Sequence, residues 1–403
     1  MRKPSDGWTG LEAANDDSRL LISKLLSCDG FQYLKERAIA TRIKLDPSTP
    51  GDLGCMLELD RFLCGMNNVV LELAFSDGLY WIARVKYRME TQKSQVDQLT
   101  FESEVATLRL LRERTTIPVP TIYDHQSSTQ SPFGFPYMLM EYLPGRSLEG
   151  PLAMSIPTDY HAKLARQFAN ILSELQKISR SQIGRLWRDV HSPGELEVIG
   201  MDWHALPGPL TTSLEFFHAE ASAIIKGAIA NHPNDPEWIT ACWMVKTGLN
   251  RFIMPERVVH GPFPLCHLDL HHGNLLFDDR YNLTGVIDWS HAQTVPIERM
   301  AFTPELMIAP GLSDAENQPT REFRRLVVEC LKESEDRREV VVAGEATSLS
   351  SFIESERYDI AHWCINSNSR QILWMGKLVA KHVFKDCTWE QLVTEYGEKG
   401  GAF

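Results

Sequence analysis

The chain has 403 residues, with 41 Lys or Arg against 53 Asp or Glu, a formal net charge of −12. With 43% apolar residues, 23% charged residues and 10 Trp it can bury a large core, which excludes wholesale disorder. One large domain or two lobes are expected at this length, and the acidic balance argues against nucleic acid as a partner, because a phosphate backbone would be repelled.

The start, Met1 to Gly7, has basic residues but no apolar run behind them, so it does not read as a secretory signal. No stretch approaches the roughly eighteen uninterrupted apolar residues of a membrane helix, and no membrane partner is expected. The eight cysteines are scattered without a C-x-x-C pair, so they read as reduced thiols of a cytoplasmic protein. Residues about 15 to 45 carry a helical pattern (Leu20, Leu21, Leu25, Phe31, Leu34, Ile39) ahead of the break Pro47-Ser48-Thr49-Pro50-Gly51. Val69 to Phe75 and Leu79 to Lys86 then read as two strands joined by Ser76-Asp77-Gly78, an Asp-Gly hairpin signal.

A helix is expected over Phe101 to Arg114, with Phe101, Glu104, Val105, Leu108 and Leu111 on one side, stopped by Ile117-Pro118-Val119-Pro120. Tyr137 to Leu143 reads as a strand, closed by Pro144-Gly145, after which the composition turns helical: Tyr160 to Ile178, Leu214 to Ala230 and Trp238 to Arg251. A lobe boundary is therefore placed near residue 144, giving an N-terminal helical extension packed on the N-lobe (1–53), an N-lobe (54–143) and a C-lobe (144–403). Asn274 to Phe277 and Thr284 to Asp288 form a strand-rich island, residues 333 to 350 read as a solvated loop, and Arg321 to Lys332 and Ile360 to Phe384 as helices. The tryptophans at 203, 238, 243, 363 and 374 are expected mostly in the core.

The informative run is His267-Leu268-Asp269-Leu270-His271-His272-Gly273-Asn274, followed across the hairpin by Ile287-Asp288-Trp289. Asp, then Asn five positions later, then Asp at the end of the next hairpin puts three oxygen-bearing side chains at one edge. Phosphoryl transfer needs such a set: one carboxylate to orient and deprotonate a hydroxyl, and hard oxygen ligands for Mg²⁺ on the nucleotide phosphates. Asp269 suits the first role, Asn274 and Asp288 the second. A zinc site on His267, His271 and His272 is disfavoured, because adjacent His271 and His272 do not readily face one ion and no third-ligand pattern follows.

These motifs resemble the aminoglycoside phosphotransferase-like branch of the protein-kinase-like fold, in the form His-His-Gly-Asn-Leu-Leu with Asp-Trp-Ser-His-Ala-Gln-Thr-Val-Pro that is widespread in filamentous fungi. The resemblance runs from about residue 54 to 300, and more weakly to the end. It implies an α+β, bilobal protein-kinase-like fold, with an N-terminal antiparallel sheet lobe holding one main helix and a larger, mostly helical C-terminal lobe. It also implies a small-molecule kinase that moves the γ-phosphoryl of ATP or GTP to a hydroxylated acceptor with Mg²⁺, Asp269 and Asn274 being catalytic and Asn274 with Asp288 holding the metal.

By the same resemblance Gly65 and Asn68 belong to a short nucleotide-positioning loop, and Ile82 packs on the base. Arg84 pairs with the phosphates and is held by Glu104 from the next helix, while Glu141 to Leu143 form the hinge. That loop has only Gly65 where protein kinases have three glycines. Lys86, on the same strand face as Arg84, is the rival cation; Arg84 is preferred because Ile82 then falls at the base. A catalytically silent nucleotide-binding or scaffold protein is the alternative reading, and the intact Asp269, Asn274 and Asp288 set argues against it. Glu215, Glu220 and Asp235 are the acids that could meet an amine on the acceptor.

Overall fold

A computed structural model describes residues 3–88, 94–188, 196–200, 208–253, 260–336, 348–366 and 370–398. Two compact units emerge, and the chain passes between them repeatedly. The first comprises Met1–Arg146, Trp187–Glu195 and Leu276–Ser290; the second comprises Ser147–Leu186, Leu196–Leu275 and His291–Phe403.

In the first unit, helices α1 (Asp16–Leu26) and α2 (Phe31–Leu45) precede the strands β1 (Cys55–Leu57), β2 (Leu63–Cys64), β3 (Asn68–Phe75) and β4 (Tyr80–Lys86). Helix α3 (Ser94–Arg114) and strands β5 (Ile122–Gln126) and β6 (Tyr137–Glu141) follow. The strands form one antiparallel sheet in the order β1-β3-β4-β6-β5, with β2 on β3. Alternation assigns its two faces. Val69, Leu71, Leu73 and Phe75 join Trp81, Ala83 and Val85 in a core completed by Ile22, Leu25, Leu34 and Ala38 of α1 and α2. The opposite face gives Ile82, Met138 and Met140 to a second cluster with Phe101 and Val105 of α3. The β3–β4 turn has the expected chemistry, since Gly78 sits at φ +83° and Asp77 Oδ1 accepts from the Leu79 amide at 3.2 Å.

Strand β5 had no alternating signal, because all its residues are half-buried. The helix expected from Phe101 begins a further two turns earlier, at Ser94.

The second unit is mostly helical: α4 (Leu152–Ser155), α5 (His161–Lys177), α6 (Ser213–Asn231), α7 (Pro236–Phe252), α8 (Ile297–Ala301), α9 (Asp314–Asp336), α10 (Leu349–Glu354), α11 (Tyr358–Asn366), α12 (Ile372–Val383) and α13 (Trp389–Leu392). Short strands β7 (Ser179–Arg180), β10 (Phe263–Cys266) and β13 (Gln293–Thr294) form a sheet in the order β13-β10-β7, while β8 (Arg185–Trp187) pairs with β9 (Glu197–Ile199). Helix α5 packs on α9 and α7 on α12, where Gly376 is required: a Cβ there would lie 2.5 Å from the Ala241 Cα. The hairpin β11 (Leu275–Phe277) and β12 (Leu283–Val286) completes the order and lies almost wholly in the first unit. The single helix expected over Ile360 to Phe384 is two helices, the first ending at Asn366 and the second beginning at Ile372. Trp363 is buried, Trp374 is 44% exposed, and Trp203 and most of the expected 333–350 loop lie outside the described residues. All eight cysteines carry free thiols, and among the described residues no helix is long and apolar enough to cross a membrane.

Two titratable groups of the second unit are buried with partnerless atoms. Burial pushes the Glu298 carboxyl up to about 7 against its own amide and Arg357, and its Oε2 has no hydrogen-bond partner. Burial, then Arg324 and Arg299, holds the His362 imidazole well below its ordinary range, and neither ring nitrogen has a partner. The signs oppose. A raised carboxyl pKa leaves stability intact below about pH 4.5 and removes it as pH climbs to about 7, by about 3 kcal/mol. A depressed His removes stability as pH falls below about 6.5. Glu298→Gln should therefore melt at a higher temperature than the parent at pH 8 and converge with it near pH 4.5. His362 is common to both proteins, so the difference isolates Glu298; parallel melting curves would contradict the assignment.

Candidate functional site

In the first unit the site is built on a central strand. Arg84 sits on β4, opposite Val70 of β3 and Met138 of β6. Its guanidinium donates Nη1 to Glu104 Oε1 of α3 at 2.5 Å and Nη2 to Asp288 Oδ1, beyond the end of β12, at 2.9 Å. Burial alone would lower the Arg84 pKa, but the carboxylates of Glu104 and Asp288 outweigh it and hold the guanidinium above its ordinary value. Lys86 is engaged elsewhere, at 2.6 Å from Asp97. The two candidate cations thus have separate partners, and the one that reaches Asp288 is Arg84.

Asp288 has φ +60°, a left-handed conformation that Asp tolerates better than most residues. Its neighbours fix it there: the buried Trp289 donates Nε1 to the Val286 carbonyl at 3.0 Å, and Ser290 Oγ lies 2.8 Å from Asp288 Oδ1. The hairpin is tied to the sheet unit by the Val286 amide on the Pro118 carbonyl at 2.8 Å and by paired Arg146 and Phe277 backbones.

Ile82 lies two residues before Arg84 on the same strand face, opposite Glu72 and Met140. Gly65 and Asn68 flank the β2–β3 turn, which closes through the Gly65 amide on the Asn68 carbonyl at 2.9 Å. Gly65 needs no glycine conformation there, since an added Cβ would meet only the Asn68 oxygen, at 3.7 Å. The Tyr87 hydroxyl lies within 2.9 Å of the Gly65 and Met66 carbonyls, and the Tyr87 amide donates to Asn67 O, so this loop turns carbonyls inward on a tyrosine. The Glu141 side chain accepts from the Thr121 amide and hydroxyl, leaving any ligand contact at this position to the backbone of the 141–143 segment. Leu143 is the closest side chain but one to Gly285, whose added Cβ would lie 3.0 Å from it.

In the second unit, β10 is buried along its whole length and leads straight into the His267–Asn274 loop. The Asp269 amide donates to His267 Nδ1 at 3.3 Å, which gives His267 a part in holding the loop. Asn274 Nδ2 donates to the Asp269 carbonyl at 2.9 Å and to its Oδ2 at 3.2 Å. With its amide nitrogen so engaged, Asn274 presents its oxygen as the remaining polar atom. His271 Nδ1 accepts from the Gly273 amide at 3.0 Å, so in the neutral ring Nε2 carries the proton, 3.6 Å from Asp269 Oδ2. Asp269 is 49% exposed.

Sequence reasoning passed over Glu305. This carboxylate, 1% exposed, accepts from the Leu152 amide at 2.6 Å, the His272 amide at 2.7 Å and His272 Nδ1 at 2.9 Å, clamping the loop to the start of α4. Only Pro304 ahead of it, a helix-start signal, marks the position. Glu305→Gln swaps one acceptor for a donor facing a donor, and should lower the unfolding free energy by about 2–3 kcal/mol in denaturant titration. Of the three acids considered for an amine, Glu215 completes the capping box of α6 and Asp235 caps α7. Glu220 instead faces Arg299 at 3.7 Å, its carboxyl pushed up by burial against that cation.

Among the described residues no group of three His, Cys, Asp or Glu could hold a metal by itself. Asn274 and Asp288 are hard oxygen donors of the kind that hold Mg²⁺ together with substrate phosphates rather than in an all-protein cage.

The family model described as "Phosphotransferase enzyme family" matches residues 87–297, just over half of the chain. Among curated proteins the chain is 27% identical over 250 residues to clavilactone A biosynthesis cluster protein Y of Ampulloclitocybe clavipes, covering 57% of this chain and 59% of that protein. It is 29% identical over 166 residues to a subtelomeric hrmA-associated cluster protein of Aspergillus fumigatus, covering 39% of this chain and 30% of the relative. The chain therefore spans less than two thirds of the length of these relatives. Among solved structures it resembles a protein of Ralstonia eutropha JMP134 described as a candidate aminoglycoside phosphotransferase, with a TM-score of 0.52 at 14% identity over 90% of this chain and 94% of that one. That likeness shows the fold, the protein-kinase-like α+β arrangement.

Proposed function

The chain belongs to the phosphotransferase enzyme family, and from that premise we propose that it is a cytoplasmic small-molecule kinase moving the γ-phosphoryl of ATP or GTP to an acceptor hydroxyl. The observation that carries this reading is the Arg84–Glu104–Asp288 triad, a cation fixed on a central strand between two carboxylates. Arg84 has more than one donor, so it can turn a guanidinium edge to phosphate oxygens while Glu104 keeps it in place. Ile82 and the backbone of 141–143 receive the base, and Gly65 and Asn68 bound the loop beside it.

Asp269 orients the acceptor hydroxyl and takes its proton as the new P–O bond forms and the bond to the leaving nucleoside diphosphate breaks. Asn274 steadies Asp269 and, with Asp288, presents oxygens to Mg²⁺, which when bound neutralises charge on the transferred phosphoryl. The acceptor site is assigned to the helices of the second unit within about 151–255 and at the C-terminus, where Glu220 is the one acid of the three not spent on a helix cap.

The test is nucleotide consumption by purified protein with ATP or GTP, Mg²⁺ and a panel of hydroxylated amines, sugars and metabolites. At least one acceptor should raise turnover well above an Asp269→Asn control. Nucleotide binding without turnover on any acceptor would favour a silent nucleotide-binding protein.

A further inference from the structure

Beyond the triad, the α3-side face of the sheet carries a feature that phosphoryl transfer does not require. Glu72 on β3 lies directly opposite Ile82 on β4, so both side chains share that face. A carboxylate in this place, 3% exposed, is costly unless paired. Its partner comes from the beginning of the chain: the Ser5 amide, itself 3% exposed, donates to Glu72 Oε2 at 2.8 Å.

A turn follows, closed by the Trp8 amide on the Ser5 carbonyl at 3.0 Å. Half-buried Trp8 then packs against the cluster of Ile82, Phe101, Val105, Met138 and Met140, as do Val70 and Tyr142. The far end is pinned at Gly10, whose amide donates to the Phe62 carbonyl at 3.0 Å. Gly10 has φ +65°, and any side chain there would lie 2.5 Å from the Asp60 oxygen. Residues 4–10 are thus anchored at both ends across the face that holds Ile82 and Arg84.

We propose that this segment is a built-in cap: Trp8 occupies the apolar ledge that receives the nucleotide base, and the nucleotide must displace it to bind. The inference rests on the assignment of Ile82 and the 141–143 segment to the base. An indole offers a flat aromatic surface comparable to a purine, so the two compete for the same apolar contacts. The hold includes the Ser5–Glu72 and Gly10–Phe62 hydrogen bonds at the ends and the half-buried ring between them, and a ring of this kind can be displaced. When the segment lifts, Glu72 loses this amide, and an N–H donor such as the exocyclic amine of adenine or guanine can take its place. Capping lowers the competent fraction, and the apparent affinity falls by that fraction.

The experiment compares wild type, Trp8→Ala and Ser5→Pro, which removes the amide donor, by calorimetric titration with ATP·Mg²⁺ and GTP·Mg²⁺. Hydrogen exchange of residues 5–10 in the wild type is followed with and without nucleotide. Trp8→Ala should bind about tenfold more tightly, and the Ser5 and Trp8 amides of the wild type should exchange faster once nucleotide is added. Equal or weaker binding by Trp8→Ala, or slower exchange, overturns the cap and makes Trp8 a wall of the pocket. If all three proteins melt cooperatively yet none binds either nucleotide, the nucleotide-site reading itself is overturned and the cap falls with it.

Discussion

Replacing Asp269 with Asn should lower turnover by about 10²–10⁴-fold while leaving nucleotide affinity within about threefold of the parent. The amide keeps the size of the side chain and can still accept from Asn274 Nδ2, which reaches both the Asp269 carbonyl and its Oδ2. What it loses is the negative oxygen that takes the hydroxyl proton. The measurement is steady-state turnover with the best acceptor, alongside calorimetric titration of the nucleotide. A variant that keeps more than a tenth of the activity would remove Asp269 from the chemistry and leave it a loop residue.

The second large effect concerns stability. Arg84→Met removes the cation paired with Glu104, which is 4% exposed, and should lower the unfolding free energy by about 3–5 kcal/mol. The arm to Asp288 contributes much less, because that carboxylate is 41% exposed and water screens it. The double variant Arg84→Met, Glu104→Met removes both buried charges and should regain most of the loss. Neither protein should bind nucleotide. Urea titrations of the three proteins check the first statement and nucleotide titration the second; a double variant no more stable than Arg84→Met would show that packing, not the pair, holds this region.

Local pattern encodes part of this structure and long-range packing decides the rest. The β3–β4 hairpin was legible because Asp77-Gly78 is a turn with a mechanism, and α5, α6 and α7 because their apolar residues recur at helical spacing. The cation and carboxylate of Arg84 and Glu104 were legible for the same reason, since strand and helix periods place both on the shared face. Glu305 was not, because its worth lies in accepting amides from Leu152 and His272, 153 and 33 residues away. Glu72 had the opposite fault: within β3 it looks like the polar half of an alternating strand, yet it is buried. The left-handed backbone of Asp288 is set by Trp289 and Ser290 around it and leaves no signature in composition.

The hairpin that carries Asp288 packs with strands that precede it by some two hundred residues, and most of the chain between Arg146 and Leu276 builds a different unit. Neither unit is therefore a contiguous stretch, and no single cut yields either one whole. During synthesis Arg84 emerges early and can meet Glu104 at once, but the first unit stays unfinished until residue 290 has left the ribosome. At ordinary elongation rates that is a wait of roughly 10–40 s, during which an incomplete sheet unit is exposed. Fragments ending before residue 290 lack the hairpin that carries Asp288, and their expression should give aggregates rather than a folded small domain.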